Sequence, residues 1–254
     1  MQIKLSVVII TLNEEKNIER CIQSIKPIAD EIVVLDSFST DKTKEICLNH
    51  GVIFIEQKFL GHIEQKNFAI SKATSPYILS LDADEALSEK AVVEIENIKN
   101  NWKADGYYFN RLTNYCGKWI HHCSWYPDKK LRLWDSRLGN WTGVNPHDRY
   151  EMTTGATIKS LDADILHYSF HSINQHIQQI NFFTDISSKA AFEKGKRSNV
   201  FQIIFKPIVK FLRDYVLHLG FLDGYYGFVI CVNSSHAKFL KYVKLRELQK
   251  QTKR

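Results

Sequence analysis

The chain has 254 residues, 44% of them hydrophobic and 24% charged, enough apolar material for one large α/β domain or a domain with an appendage. Its five cysteines (Cys21, Cys47, Cys116, Cys123, Cys231) are odd in number and form no CxxC pair, which argues against a disulfide framework or a zinc ribbon and for a reducing, cytoplasmic setting. The net charge of +6 gathers late: from Ile186 to the end there are 14 Lys/Arg against 4 Asp/Glu, so the tail suits an anionic partner.

The N-terminus runs directly into a strand-like segment with no charged, apolar and small-residue succession, so no secretory signal is expected. Leu5–Thr11 is a continuous β-branched run, the pattern of a strand covered on both faces of a parallel sheet. A helix is expected from Asn13, as N-cap, to about Ile25, with Glu14 and Glu15 in its first turn and Pro27 after its end. Glu31–Asp36 reads as a second buried strand and Ser37–Asp41 as a polar turn. The next helix is closed by Gly51, and Val52–Glu56 is the third strand. Gly61–Ala73 reads as loop and helix, broken at Ser75-Pro76. Tyr77–Leu81 is a fourth strand, running into Asp82, Asp84 and Glu85. Strands alternating with helices at this spacing predict an α/β fold with a mostly parallel sheet and flanking helices.

Ligands of such sheets bind beyond the carboxyl ends of the strands. Thr11/Asn13/Glu14, Asp36/Ser37 and Asp82/Asp84/Glu85 all fall there. Asp-x-Asp at a strand end suits a hard divalent cation, which takes carboxylate and phosphate oxygens; alone, the same letters also describe a solvated turn. An identical Leu-Asp-Ala-Asp recurs at Leu161–Asp164, within an alternating stretch typical of an antiparallel strand, so Asp162 and Asp164 are assigned to the surface.

In the second half, Ser88 caps a helix over Leu87–Lys99, and Gly106–Arg111 is a strand. Trp119–Trp141 is rich in aromatic and basic residues. Trp125, Tyr126 and Arg132 are candidates for stacking on sugar rings and holding phosphate or carboxylate groups; a half-buried aromatic layer with cations turned outward is the competing reading. A helix over Ile173–Glu193 follows. From Phe201 to Leu219 apolar residues recur at three- and four-residue spacing, interrupted by Lys206, Lys210 and Arg213, with a kink or break expected at Pro207. No apolar stretch is long enough for a spanning helix, and nothing in the tail resembles a nucleic-acid module. The tail is therefore expected on an anionic membrane surface, with a homodimer surface or packing hairpin as the alternative.

Three stretches, Ser6–Glu14, Glu31–Asp41 and Leu81–Glu85, resemble the nucleotide-binding half of family 2 glycosyltransferases of the GT-A fold. Trp125–Trp134, Gly143–Asp148, Leu166–Phe170 and Gly220–Gly224 resemble the branch that builds the lipopolysaccharide inner core, typified by β-1,4-glucosyltransferases. The resemblance implies three parts: a nucleotide-sugar half (1–110), an acceptor half (111–198) and a basic amphipathic helical tail (199–254). It implies an inverting, Mg²⁺- or Mn²⁺-dependent transfer of a hexose, as in glucose from UDP-glucose, to a glycolipid or lipid-linked glycan on the inner face of the cell membrane. Thr11, Asn13 and Glu14 would line the nucleoside pocket, and Asp36 would accept a hydrogen bond from the base. Lys66, where the family more often has Arg, would face the nucleotide. Asp82 would approach ribose and metal, while Asp84 and His167 would hold the metal. Glu85 would assist through water. Asp148, where the branch usually has Glu, would be the base, with His147 as its alternative. A polypeptide acceptor, a nucleotidyltransferase and a non-catalytic scaffold of the same fold are the rivals. The absence of glycine from Thr11–Glu15 disfavours the nucleotidyltransferase, and the intact acids disfavour the scaffold.

Overall fold

The computed structural model describes residues 2–144 and 147–251, excluding the side chains of 144 and 147. The chain divides into two compact units, one of residues 1–111 and 128–168, the other of 112–127 and 169–254.

The first unit is built on β1 (Leu5–Thr11), β2 (Glu31–Asp36), β3 (Ile53–Glu56) and β4 (Tyr77–Asp82), parallel and in the order β3-β2-β1-β4. β1 is buried almost throughout, as its β-branched run predicts. The return connections are α1 (Ile18–Ile25), α2 (Thr43–Asn49) and α3 (His62–Ser71). On α1, Ile18, Cys21, Ile22 and Ile25 recur at helical spacing and are all buried. The helix begins later than expected because Asn13 is no cap. Its backbone is left-handed (φ 55°), and its side-chain oxygen accepts from Thr40 N–H at 2.8 Å.

Beyond β4 the order continues β8-β6-β11-β5, with β5 (Glu85–Leu87), β6 (Gly106–Tyr115), β8 (Asp128–Asp135) and β11 (Ile158–Phe170). β4 pairs antiparallel with β8, β8 with β6, and β11 with β5, so the parallel half is followed by an antiparallel one. Between β5 and β6, α4 (Glu89–Asn100) starts at Ser88, whose hydroxyl accepts from Ala91 N–H. A separate hairpin of β9 (Gly139–Val144) and β10 (His147–Met152) carries Trp141 and Tyr150, whose rings pack with Trp134 of β8. Asn145 and Pro146 of the Gly143–Asp148 segment lie outside the described residues.

In the second unit, the last residues of β6 pair with β7 (Lys118–Ile120). Tyr115, Ile120, Cys123 and Phe170 form one core with Ile230 and Cys231. The helices are α5 (Ile173–Glu193), α6 (Val200–Leu212) and α7 (Gly224–Gln251). α6 runs through Pro207 without a break, and Ser235 of the last helix donates its hydroxyl to Pro207 O at 2.8 Å. A π-helical turn (Arg213–Leu217) and a 3₁₀ turn (Gly220–Asp223) join α6 to α7. α7 comes so close to this turn at Gly227 that a Cβ there would lie 2.0 Å from Gly220 O.

Candidate active site

Strand register brings the predicted residues of the first unit to one rim. Thr11 pairs with Asp36 across β1 and β2, and Ile10 pairs with Asp82 across β1 and β4. The loops after β1 and β2 are laced together: Asn13 N–H donates to Ser39 Oγ, Glu14 N–H to Thr43 Oγ1 and Glu15 N–H to Asp41 Oδ2. Asn13 and Glu14 therefore stand on a fixed rim. Thr11 is buried, and its hydroxyl has no hydrogen-bond partner among the described residues.

Asp36 ends β2. Its side chain is 0% exposed, and its two oxygens accept from Ser39 N–H at 2.7 Å and Ser39 Oγ at 2.5 Å. It shapes the 37–41 loop.

Asp82 stands between two cations. Lys66 Nζ of α3 lies 3.2 Å from Oδ1, and Arg132 of β8 donates to Oδ2 at 2.9 Å. Burial opposes ionisation of Asp82, but Lys66 and Arg132 outweigh it and hold the carboxyl well below the usual carboxylate range. Glu85 is fully buried. One of its oxygens accepts from Arg132 at 2.6 Å, and the other from Asp82 N–H at 3.0 Å. Glu85 thus ties the turn and the guanidinium together. Arg132 is only 3% exposed. Burial opposes its charge, yet Glu85 and Asp82 keep it firmly protonated. Its charge is met by these two acids.

Lys66 also reaches Asp148 Oδ2 at 2.8 Å and lies 4.3 Å from the Trp141 ring centroid. Lys66 bridges Asp82 and Asp148. The hairpin that carries Asp148 is docked on α3 by Asn67, which exchanges two hydrogen bonds of 3.0 Å with the Trp141 backbone. His147 contributes backbone to β10, and its side chain lies outside the described residues.

Asp84 and His167 are brought together by strand pairing. β11 runs antiparallel to β5 with His167 opposite Glu85, and Tyr168 N–H donates to Asp84 O at 2.8 Å. His167 Nε2 is then 3.2 Å from Asp84 Oδ2. Glu14 faces the same place: burial pushes its carboxyl up, Asn17 opposes this by hydrogen bond, and Asp84 adds repulsion. No group of three or more His, Cys, Asp or Glu side chains among the described residues forms a complete metal cage. One carboxylate and one imidazole beside a repelled Glu14 nevertheless fit Mg²⁺ or Mn²⁺, ions that complete their shell with water and substrate phosphates. The second Leu-Asp-Ala-Asp lies on β11, where Asp162 is exposed and pairs with Lys90.

Trp125 and Tyr126 belong to the second unit. The Trp125 ring is half-buried and packs against Phe170, Tyr115 and His176 at the edge of that unit's core. Tyr126 is half-buried, with its ring edge-on to His121 at 5.5 Å.

Sequence reasoning missed Arg111. It makes a two-pronged contact with Asp128, at 3.0 and 2.7 Å, and approaches Glu85 at 3.7 Å. It also missed Asn67 and Trp141, the residues that seat the hairpin. The one available signal was alternation along β6 and β8, which points Arg111 and Arg132 to faces of the sheet. Their partners are distant in sequence.

The profile of the family described as "Glycosyl transferase family 2" matches residues 6–196. The chain belongs to this family. It is a glycosyltransferase, and its α/β sheet with flanking helices is of the GT-A type. It is 32% identical to an uncharacterized glycosyltransferase of Rickettsia typhi, over 96% of this chain and 87% of the relative. To the lipopolysaccharide core biosynthesis glycosyltransferase LpsC of Rhizobium meliloti it is 26% identical, over 96% of this chain and 92% of LpsC. Among solved structures, residues 1–349 of S. aureus TarS align at 15% identity and a TM-score of 0.47, covering 98% of this chain and 92% of that one.

Proposed function

We propose that this glycosyltransferase moves a hexose, glucose from UDP-glucose, onto a lipopolysaccharide core or another lipid-linked glycan, with inversion at the anomeric carbon. The observation that carries the reading is the ionic chain Asp148–Lys66–Asp82, flanked by Asp84 and His167. It sets a carboxylate suited to base catalysis beside a group suited to a leaving diphosphate. The acceptor follows LpsC, a lipopolysaccharide core enzyme similar over most of both chains.

In the proposed reaction the acceptor hydroxyl oxygen bonds to the anomeric carbon while the bond to the diphosphate oxygen breaks. The electron pair of that bond leaves with the diphosphate. The acceptor proton passes to Asp148, whose Oδ2 is held by Lys66, leaving Oδ1 to receive it. Asp84 and His167 would hold Mg²⁺ or Mn²⁺. Bound there, the cation supplies charge neutralisation for the departing diphosphate. Lys66 and Arg132 fix Asp82 for the ribose side of the donor, and Asn13 and Glu14 line the nucleoside end.

The test is a panel of nucleotide sugars with Mn²⁺ or Mg²⁺ and a lipooligosaccharide acceptor, reading transfer and donor hydrolysis separately. Asp148→Asn is expected to lower transfer by at least about 100-fold while donor binding persists. Full transfer by Asp148→Asn would overturn the base assignment, and a donor preference other than UDP-glucose would overturn the substrate.

A further inference from the structure

α6 is apolar, yet among its residues only Pro207 is buried. Phe201 is 66% exposed, Ile208 50% and Leu212 51%, and the same surface continues round the following turns through Leu217 (75%), Leu222 (56%) and Tyr225 (67%). An amphipathic helix in a folded unit ordinarily covers its apolar stripe, and a contiguous uncovered patch of this kind marks a docking surface.

The turn that displays these residues is firmly held within the second unit. Buried Asp214 accepts from Arg213 Nε at 3.0 Å and Ser124 Oγ at 3.1 Å, and it pairs with Lys210 at 2.5 Å. Buried Asp223 accepts from His122 N–H at 2.8 Å. Cations gather at the margin of the patch. Lys206 and Lys210 lie in α6 and Arg213 opens the turn after it, with Lys206 and Arg213 exposed, and after burial the charges of Lys241, Lys210, Arg213 and Lys206 lower the Lys238 ammonium from its usual range.

We propose that the α6–α7 face of this unit seats on an anionic lipid bilayer, its apolar turn entering the acyl boundary and its cations meeting the headgroup phosphates. The charge pattern selects this occupant. A second copy on a two-fold axis would bring the same cations against one another. Among the described residues no single helix is long and apolar enough to cross a bilayer. Residues 200–217 and 220–251 would pass together by length and composition but bend by 72°, which suits lying in the interface. The inference is independent of the sugar and acceptor proposed above.

The experiment is flotation of the full chain with phosphatidylcholine vesicles, with and without one-third phosphatidylglycerol, alongside sedimentation analysis of oligomeric state. Binding is expected to anionic vesicles only, and to weaken in half-molar salt. Leu217→Glu/Leu222→Glu and Lys206→Glu/Lys241→Glu are each expected to lower partitioning by more than about tenfold with helical content unchanged. The lysine variant alone decides the matter if the leucine variant unfolds. Failure of the natural chain to bind anionic vesicles would overturn the proposal. So would variants that bind like the natural chain, or a dimer that the leucine substitutions split.

Discussion

The ammonium of Lys66 lies 2.8 Å from Asp148 and 3.2 Å from Asp82, and its side chain is almost wholly covered. Asp148 therefore depends on this cation for its placement, and Asp82 shares it with Arg132. Had Lys66 served mainly to hold the nucleotide, replacing it would weaken donor binding. With the geometry observed, Lys66→Met leaves Asp148 free to swing, so kcat is expected to fall by about 100-fold while the donor KM changes much less. The same substitution leaves Asp148 without its cation and Asp82 with Arg132 alone. A stability loss of about 2 kcal/mol is expected, the partial exposure of Asp82 holding it below the value for a fully buried pair. Steady-state kinetics and chemical denaturation on one protein sample check both outcomes. A raised KM with unchanged kcat would return Lys66 to the role of nucleotide contact.

At the scale of the element, α5 carries a titratable group into the second unit's core. His176 Nδ1 lies 2.9 Å from Tyr115 Oη and 3.2 Å from Asn233 Nδ2, and the ring packs among Tyr115, Trp125 and Phe170. Burial pushes its pKa down from 6.5 to about 4. The unfolded ring takes up its proton below about 6.5, whereas the folded ring waits until about 4. Between those values the unfolded state binds more protons, so stability is fully present above the upper value and falls as the pH drops toward the lower one. The loss reaches about 3 kcal/mol. Denaturation midpoints measured across this window should decline in the natural chain and flatten in His176→Gln. A parallel decline in both would show that the acid sensitivity arises elsewhere.

Over the whole molecule, what could be read in advance follows from which interactions are local. The β-branched run at Leu5–Thr11, the apolar spacing of Ile18, Ile22 and Ile25, and the cap at Ser88 are local, and the corresponding elements form, the first helix ending at Ile25 as expected but starting later. The shared rim was legible because a parallel sheet puts every strand's carboxyl end on one side. What sequence did not reveal depends on long-range pairing: Lys66 with Asp148, Arg132 with Glu85, Trp125 with Phe170. The tail is the largest such case. Its charge and periodicity marked it as an amphipathic end segment, yet α7 brings Ile230 and Cys231 into the core that Tyr115, Ile120 and Phe170 line. Lys244 of α7 also donates to Asn181 O of α5 at 3.0 Å and pairs with Asp185 at 2.8 Å. Uncovering Tyr115, Ile120 and Phe170 forfeits about 2 kcal/mol each, a sum comparable to the entire stability of many domains. A chain ending at Ser198 is therefore expected to lose soluble yield and cooperative melting and to bind an apolar dye. If the segment merely hung from a finished fold, the same truncation would melt sharply and stay in solution, so soluble yield and a melting curve separate the two arrangements.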